Sequence, residues 1–423
     1  MIKHSVTYRY AIAPVVVALV ALATLLAVRD AAAKPPLGIP LPAEIELSAA
    51  DSGRNVSLTE DRLLVIRLEA SPSAGYLWEV AGSDEAIIVR KDGNQPEFSS
   101  PSDAPGAPVY QVLRFAALSE GQTTLELAYR RPWEQQSPPV SAFSLGVQAI
   151  GPFTGANFPT PTPPPAQDLS VEMMGDDAAA LGLPTHFSWC EQGKCTPVKD
   201  QGQCGSCWAF ATVGVMEAAI KIRNGVERDL SEQYLVSCNT DGWGCQGGGW
   251  AHSYHGDKVG RSQADAGAVY EADFPYRAQN VSCSSAYAHY EKITSWDRVA
   301  GYGVPSVSAL KQAIQTHGPV TAGVCVGSAF GGYSGGLFQT DESTKCPYGT
   351  NHAVVLTGWD DLQGVWYLRN SWGTGWGENG TMRIKYGVSQ VGEDANYVVY
   401  DQSPAAPAPA ALTVKLFLPA IAR

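Results

Sequence analysis

The alternation of apolar and polar positions divides the chain into segments of different texture. From about Ala43 to Gly151, short period-two runs such as "RLLVIRLEA", "TTLELAY" and "AFSLGVQAI" are separated by clusters of Gly, Pro, Ser and Asp. That spacing predicts a small antiparallel β-sandwich of roughly seven strands. The segment "GPFTGANFPTPTPPPAQDLS" follows, and its prolines favour extended polyproline geometry over a packed core. It reads as a linker. From about Leu183 to Asp401 the pattern switches to a helical period. "CWAFATVGVMEAAIKIRNG" predicts a helix from Cys207 that stops at Asn224-Gly225, and "SALKQAIQTHG" puts Leu310, Ala313 and Ile314 on one helical face. Strand patterns come last: "PVTAGVCV", "HAVVLTGW", "VWYLRN", "TMRIKYG" and "NYVVYD". Helices followed by strands predict two packed lobes with a cleft between them.

At 423 residues the chain is long enough for two or three cores. Lys3 and Arg9 precede an apolar run from Ala11 to Val28, and Ala31-Ala32-Ala33 offers small residues for a signal peptidase. Residues 1–33 are therefore expected to be a signal peptide and the product to be secreted, without a stable membrane span after cleavage; a retained N-terminal anchor is the alternative. The formal charge of −12 and the pI near 5.1 argue against a nucleic-acid partner. After Tyr400 a Pro-Ala spacer leads to "LTVKLFLPAIAR", and 402–423 is read as a tail.

All nine cysteines lie between 190 and 346. Export permits disulfides, and an odd count leaves one thiol to bridge another molecule or to stay free and reactive. Cys204-x2-Cys207 is by itself ambiguous. It could be a redox dithiol, or with Cys190 and Cys195 half of a four-thiolate zinc site, or one bridge beside one nucleophile.

A cysteine nucleophile needs a thiolate, a general acid and donors for an oxyanion. Cys207 sits in the first turn of a helix, where the dipole is expected to depress its pKa. His352 in "TNHAVVLTGW" supplies imidazole, and Asn370 in "YLRNSWGTGWGENG" could orient it. Gln201, just upstream, could aim its amide at the oxyanion beside the Cys207 N–H. His252, His255, His289 and His317 have no motif around them and read as surface or satisfied histidines. Trp376 reads as packing. No metal site or cofactor motif is read.

"QGQCGSCWAF", "NHAVVLTGW" and "NSWGTGWGENG", in this order, resemble the papain-like cysteine peptidases over Leu183 to Tyr400. The resemblance implies an α+β, two-lobed peptidase, a helical lobe beside a β-barrel-like one. It implies Gln201 as oxyanion donor, Cys207 as nucleophile, His352 as acid and base, Asn370 as orienter and Trp372 as a lid over the His-Asn contact. It also implies that Cys204 pairs with Cys245 and Cys238 with Cys283. Cys325 with Cys346 and Cys190 with Cys195 are then the remaining expected pairs. Gly247 and Gly248 would form a rail for an extended peptide, with Gly249 and Trp250 lining a specificity pocket for an apolar side chain.

Upstream, "SPSAGYLW" and "RRPWE" resemble two loops of the chagasin-like inhibitors of these same peptidases. That resemblance makes residues 34–150 an immunoglobulin-like sandwich whose loops, Ser71, Pro72, Ser73, Ala74, Gly75 and Tyr76 with Arg131, Pro132 and Trp133, would wedge into a catalytic cleft. A Gly-rich third loop survives as "DAPGAP". The expectation is a multidomain, monomeric, secreted endopeptidase acting on peptides or proteins, with residues 183–401 held in check by an intramolecular inhibitor through a linker, 151–182, spanning about 30 Å as a flexible coil. The competing class is a binding protein whose first domain inhibits other peptidases and whose second is a scaffold.

Overall fold

The computed structural model describes residues 43–91, 97–100, 108–153, 182–346 and 349–401. The expected signal peptide, most of the linker, most of "DAPGAP" and the C-terminal tail lie outside the described residues. The N-terminal region holds nine strands: β1 (Ala43–Ser48), β2 (Asn55–Leu58), β3 (Arg62–Ala70), β4 (Leu77–Gly82), β5 (Ile88–Arg90), β6 (Glu97–Ser99), β7 (Val109–Ala117), β8 (Gly121–Arg130) and β9 (Ser141–Ala149). One sheet runs β1-β3-β7-β5 with β6 also on β7, and the other runs β2-β9-β8-β4. The inward side chains of both sheets, among them Leu64, Ile66, Leu113, Phe115, Leu125 and Leu145, form one core. Because β-strand side chains alternate, the period-two runs put one residue in two into that core. The expectation of about seven antiparallel strands needs correction. Nine are present among the described residues, and β2 pairs parallel to β9, Asn55 opposite Gly146. Strands of three or four residues, such as β5 and β2, carry too few alternations for the pattern to reveal.

The C-terminal region starts with β10 (His186–Ser188) and the helices α1 (Cys207–Asn224) and α2 (Glu232–Cys238). Every residue of α1 from Cys207 to Ile220 is buried, because this helix is apolar on nearly all sides and packs centrally. It ends at Gly225 in the left-handed conformation, φ 70°, as its Asn-Gly terminus predicts. After β11 (Ser295–Arg298), helix α3 (Val307–His317) is capped by the Ser306 side chain and buries Leu310, Ala313 and Ile314. Then come β12 (Val320–Val324), β13 (Leu337–Phe338), β14 (His352–Asp360), β15 (Val365–Arg369), β16 (Thr381–Lys385) and β17 (Glu393–Val399). They form one sheet in the order β11-β17-β12-β14-β15-β16-β13, with β10 on the β14 edge.

The structure contains four disulfides, Cys190–Cys195, Cys204–Cys245, Cys238–Cys283 and Cys325–Cys346, and leaves Cys207 free and buried. A four-thiolate zinc site and a Cys204-Cys207 dithiol are therefore both excluded. His252 and His255 also need correction: both are buried, and neither nitrogen of His255 has a partner among the described residues. His289 is satisfied by Gly267 O and Gln263 Oε1, and His317 stacks on Tyr397. Among the described residues no helix is long and apolar enough to cross a membrane. The described residues from Glu44 onward make up one compact unit.

Candidate active site

Cys207 opens α1, where Ser206 carbonyl accepts from Ala209 N at 2.8 Å and from Phe210 N at 3.1 Å. The first-turn N–H groups that helix geometry leaves without intrahelical partners point at the sulfur. Backbone N–H groups of Ala353, Trp208 and Cys207 itself bear on the thiol. Ala353 follows His352, so the start of β14 and the start of α1 meet at this sulfur. The register Val324↔His352 fixes that strand end against β12.

His352 Nε2 donates to Asn370 Oδ1 at 2.7 Å, and Ser371 N donates to the same oxygen at 2.8 Å. With Nε2 carrying the proton, Nδ1 is the basic nitrogen. It has no hydrogen-bond partner among the described residues and lies beside the backbone of Ser73. Trp372 covers the pair, its ring centroid 4.9 Å from that of the imidazole, and Trp376 and Phe330 pack edge-on to it at 5.2 and 5.7 Å. Trp376 is fully buried packing.

The expected depression of the Cys207 pKa is corrected by the structure. Burial pushes this thiol up to about 11 despite the three backbone N–H groups, and burial pushes His352 down to about 4 despite its bond to Asn370. Both shifts favour the neutral thiol and the neutral imidazole. Ser71, Pro72 and Ser73 line the same cavity of about 560 Å³ as Cys207 and His352.

That cavity is also lined by Gly247, Gly248, Gly249 and Trp250. A Cβ on Gly248 would lie 2.6 Å from the Trp208 ring, so only glycine fits between groove and helix. Trp250 is tethered by its indole N–H to Asp394 Oδ2 at 2.7 Å. Gln201 differs from expectation. It is fully buried, its Nε2 donates to Cys204 O at 2.9 Å, its Oε1 accepts from Ser371 Oγ at 2.6 Å, and it does not line the cavity.

The two N-terminal loops meet this groove. Ser71–Tyr76 is closed by Ala74 N→Ser71 O and Tyr76 N→Ser71 O bonds at 2.9 and 3.1 Å, with Gly75 at φ 78°. Trp372 Nε1 donates to Ser73 O at 3.0 Å. Trp133 stacks on Trp372 at 5.2 Å and lies edge-on to Trp376 at 6.5 Å. Arg131 is buried, with its guanidinium 4.9 Å from the Tyr76 ring centre, and it forks onto Asp200. Pro132 O accepts from Gln135 Nε2 at 2.8 Å, which keeps this loop turned back on itself. Asp200, Ser371 and Tyr276 were not singled out by sequence. Asp200 and Tyr276 lie outside the quoted motifs, Asp200 directly preceding Gln201, whereas Ser371 lies within "NSWGTGWGENG" beside Asn370 and was given no role there.

Comparison with known proteins gives two family matches: the papain family cysteine protease over residues 183–401 and the chagasin family peptidase inhibitor I42 over residues 57–147. The senescence-specific cysteine protease SAG12 of Arabidopsis thaliana is 36% identical over 210 residues, 49% of this chain and 58% of that protein. Cysteine endopeptidase RepA of Oryza sativa subsp. japonica is 38% identical over 222 residues, 51% of this chain and 55% of the relative. Cathepsin K of Gallus gallus is 34% identical over 256 residues, covering 59% of this chain and 71% of that protein. The chain thus spans somewhat over half the length of the first two relatives. Among solved structures, the Carica candamarcensis cysteine protease CMS1MS2 in complex with E-64 aligns over 52% of this chain and 100% of its own at 33% identity and a TM-score of 0.44.

Proposed function

The chain belongs to the papain family of cysteine proteases, and from that premise we propose that it is a secreted, monomeric cysteine endopeptidase held closed by its own chagasin-like domain. In this reading residues 1–33 are a signal peptide, 34–150 an immunoglobulin-like inhibitor sandwich, 151–182 a linker, 183–401 a two-lobed peptidase and 402–423 a tail. Its substrates are peptides or proteins, with an apolar side chain accommodated beside Gly249 and Trp250.

Once the groove is open, Cys207 passes its proton to His352 and the sulfur attacks the substrate carbonyl carbon, moving the π pair onto oxygen. The backbone N–H of Cys207, with Gln201 turned toward the groove, stabilises that oxyanion. The intermediate collapses by breaking the C–N bond as His352 hands its proton to the departing amine, leaving a thioester. Water, deprotonated by His352, attacks the thioester carbon, and the second collapse returns the sulfur. Asn370 holds the ring plane and tautomer throughout through the 2.7 Å contact.

One observation carries the autoinhibited form: Ser73, which with Ser71 and Pro72 lines the cavity shared by Cys207 and His352, is fastened by the Trp372 indole, and Trp372 is stacked on Trp133. A tethered inhibitor has an effective concentration on the order of millimolar, so modest intrinsic affinity suffices to fill the cleft. The test compares labelling of Cys207 by a thiol-directed epoxide peptide, and peptide hydrolysis, before and after linker cleavage. Slow reaction before and fast reaction after is expected. Equal rates overturn autoinhibition; no labelling after cleavage overturns the peptidase reading.

A further inference from the structure

The turn Gln201–Ser206 precedes the nucleophile and carries both groups that would face an oxyanion, the Gln201 amide at its start and, immediately after its end, the Cys207 N–H. One phenol spans it. Tyr276 OH donates to Gln201 O at 2.8 Å, and Ser206 Oγ, 2.5 Å away, donates to the Tyr276 oxygen, since the single phenolic proton is already used. The resulting chain Ser206→Tyr276→Gln201 closes the turn from outside, and serial hydrogen bonds strengthen one another.

Tyr276 is itself well founded. Its N–H donates to Glu271 Oε1 at 2.7 Å, the next residue's N–H donates to Gln233 Oε1 in α2 at 2.8 Å, and its ring sits edge-on to Phe210 of α1 at 4.8 Å. On the opposite side Gln201 is gripped by Ser371, through Gln201 N→Ser371 O at 2.9 Å and Ser371 Oγ→Gln201 Oε1 at 2.6 Å. Ser371 N in turn bonds the same Asn370 oxygen that orients His352. The turn is thus braced by the sheet through Ser371 and by the helical side through Tyr276. The Cys204–Cys245 bridge and the Gly205 N→Cys245 O bond at 2.7 Å hold its middle but neither end.

We propose that Tyr276 is a positioning residue, whose hydroxyl fixes Gln201 and the Ser206–Cys207 peptide relative to each other and so sets the spacing of the two oxyanion donors. Substrate binding along Gly247–Trp250 lies away from it, so its loss acts on the tetrahedral intermediate and leaves ground-state binding alone. This rests on the peptidase reading above.

The test uses the full chain carrying Arg131→Ala and Trp133→Ala to open the groove, with and without Tyr276→Phe, which removes the hydroxyl and keeps the ring against Phe210. Expected is a fall in kcat of about 10- to 100-fold, below the cost of deleting an oxyanion donor outright, with KM unchanged. Affinity for a peptide aldehyde is expected to fall in step. There the Cys207 sulfur adds to the aldehyde carbon, the π pair becomes the oxyanion and the thiol proton passes to His352. A kcat within twofold of the opened chain, or a change in KM without one in kcat, overturns the proposal. Should Tyr276→Phe lower the melting temperature enough to leave unfolded chain, Ser206→Ala removes the phenol's donor together with a long 3.4 Å Ser206 Oγ→Cys204 O contact; about a fivefold fall in kcat supports the proposal and an unchanged kcat overturns it. An opened chain with no hydrolysis at all refutes the peptidase reading itself, and Tyr276's role with it.

Discussion

Arg131 donates two parallel hydrogen bonds to Asp200, Nη1 to Oδ2 at 3.0 Å and Nη2 to Oδ1 at 2.9 Å, and so joins the chagasin-like region to the peptidase region directly beside the catalytic turn. The same guanidinium bonds Ala74 O at 3.1 Å and Gly202 O at 3.2 Å. Arg131 is 1% exposed and the Asp200 side chain 47%, so the pair is worth less than a fully buried one. Arg131→Ala in the full chain is expected to raise peptide hydrolysis about 10- to 50-fold, in proportion to the open fraction. Arg131→Lys, which keeps charge but loses the fork, should fall between. Unchanged hydrolysis in both variants would show the latch to be idle.

Trp133 is the apolar counterpart of that latch. Its ring stacks on Trp372, and a Cβ at Gly75 would lie 2.3 Å from it, so the two N-terminal loops are fitted to each other as well as to the groove. Trp133→Ala is expected to cost about 2–4 kcal/mol of domain docking, the range of an interfacial aromatic anchor. Gly75→Ala should act similarly through its φ of 78° and the clash. The rate of epoxide labelling at Cys207 measures both, and a rate equal to that of the unmodified chain would argue against the fit.

Thiol reactivity follows from burial. With the Cys207 pKa raised to about 11, the full chain at pH 8 holds only about one thiolate in a thousand, and the groove is covered besides. Alkylation by iodoacetamide, followed by intact mass, should be slow near neutral pH and rise up to and beyond pH 10 in the closed chain. In Arg131→Ala the rise should begin several pH units lower. Coincident profiles would contradict the assignment of the shift to the docked loops.

Acid should destabilise the peptidase region through His252 and His255. Burial lowers both to about 3 from an ordinary 6.5, so between these values the unfolded chain binds protons that the folded chain refuses. Their contribution is complete above pH 6.5 and is lost progressively as pH falls toward 3. The melting temperature is expected to drop across that window, and His255→Gln should flatten the slope by roughly one proton. A slope identical to the unmodified chain would assign the acid sensitivity elsewhere.

The meeting of Cys207, His352 and Asn370 at one place could be read from sequence because each sits in a local motif whose residue types a thiol mechanism would demand. Helix α1 could be read because its apolar run ends in Asn-Gly, and β14 because "HAVVLTGW" is a strand buried throughout. Contacts between distant segments left no local trace: Asp200 as the partner of Arg131, 69 positions away, and Tyr276 beside Ser206, 70 away. The buried state of His252 and His255 was equally hidden, since an imidazole surrounded by Ala, Ser, Tyr and Gly in sequence looks the same whether a sheet covers it or water does. The parallel pairing of β2 with β9 joins residues 91 positions apart, such as Asn55 and Gly146, and alternation fixes a face, never a neighbour. The raised pKa of Cys207 comes from burial by the surrounding tertiary structure, which no local property of α1 encodes.

Cys207 is the lone thiol in a chain otherwise cross-linked at Cys190–Cys195, Cys204–Cys245, Cys238–Cys283 and Cys325–Cys346. Any reductant added to keep Cys207 reduced therefore also acts on the scaffold, and most readily at the bridge whose two residues are both half-buried, Cys190–Cys195. For the activity proposed above this sets a redox window: too oxidising and the Cys207 sulfur is consumed once uncovered, too reducing and the Cys204–Cys245 bridge in the turn just before it opens. A docked inhibitor widens that window from the oxidising side, because a covered sulfur survives where a bare one would not.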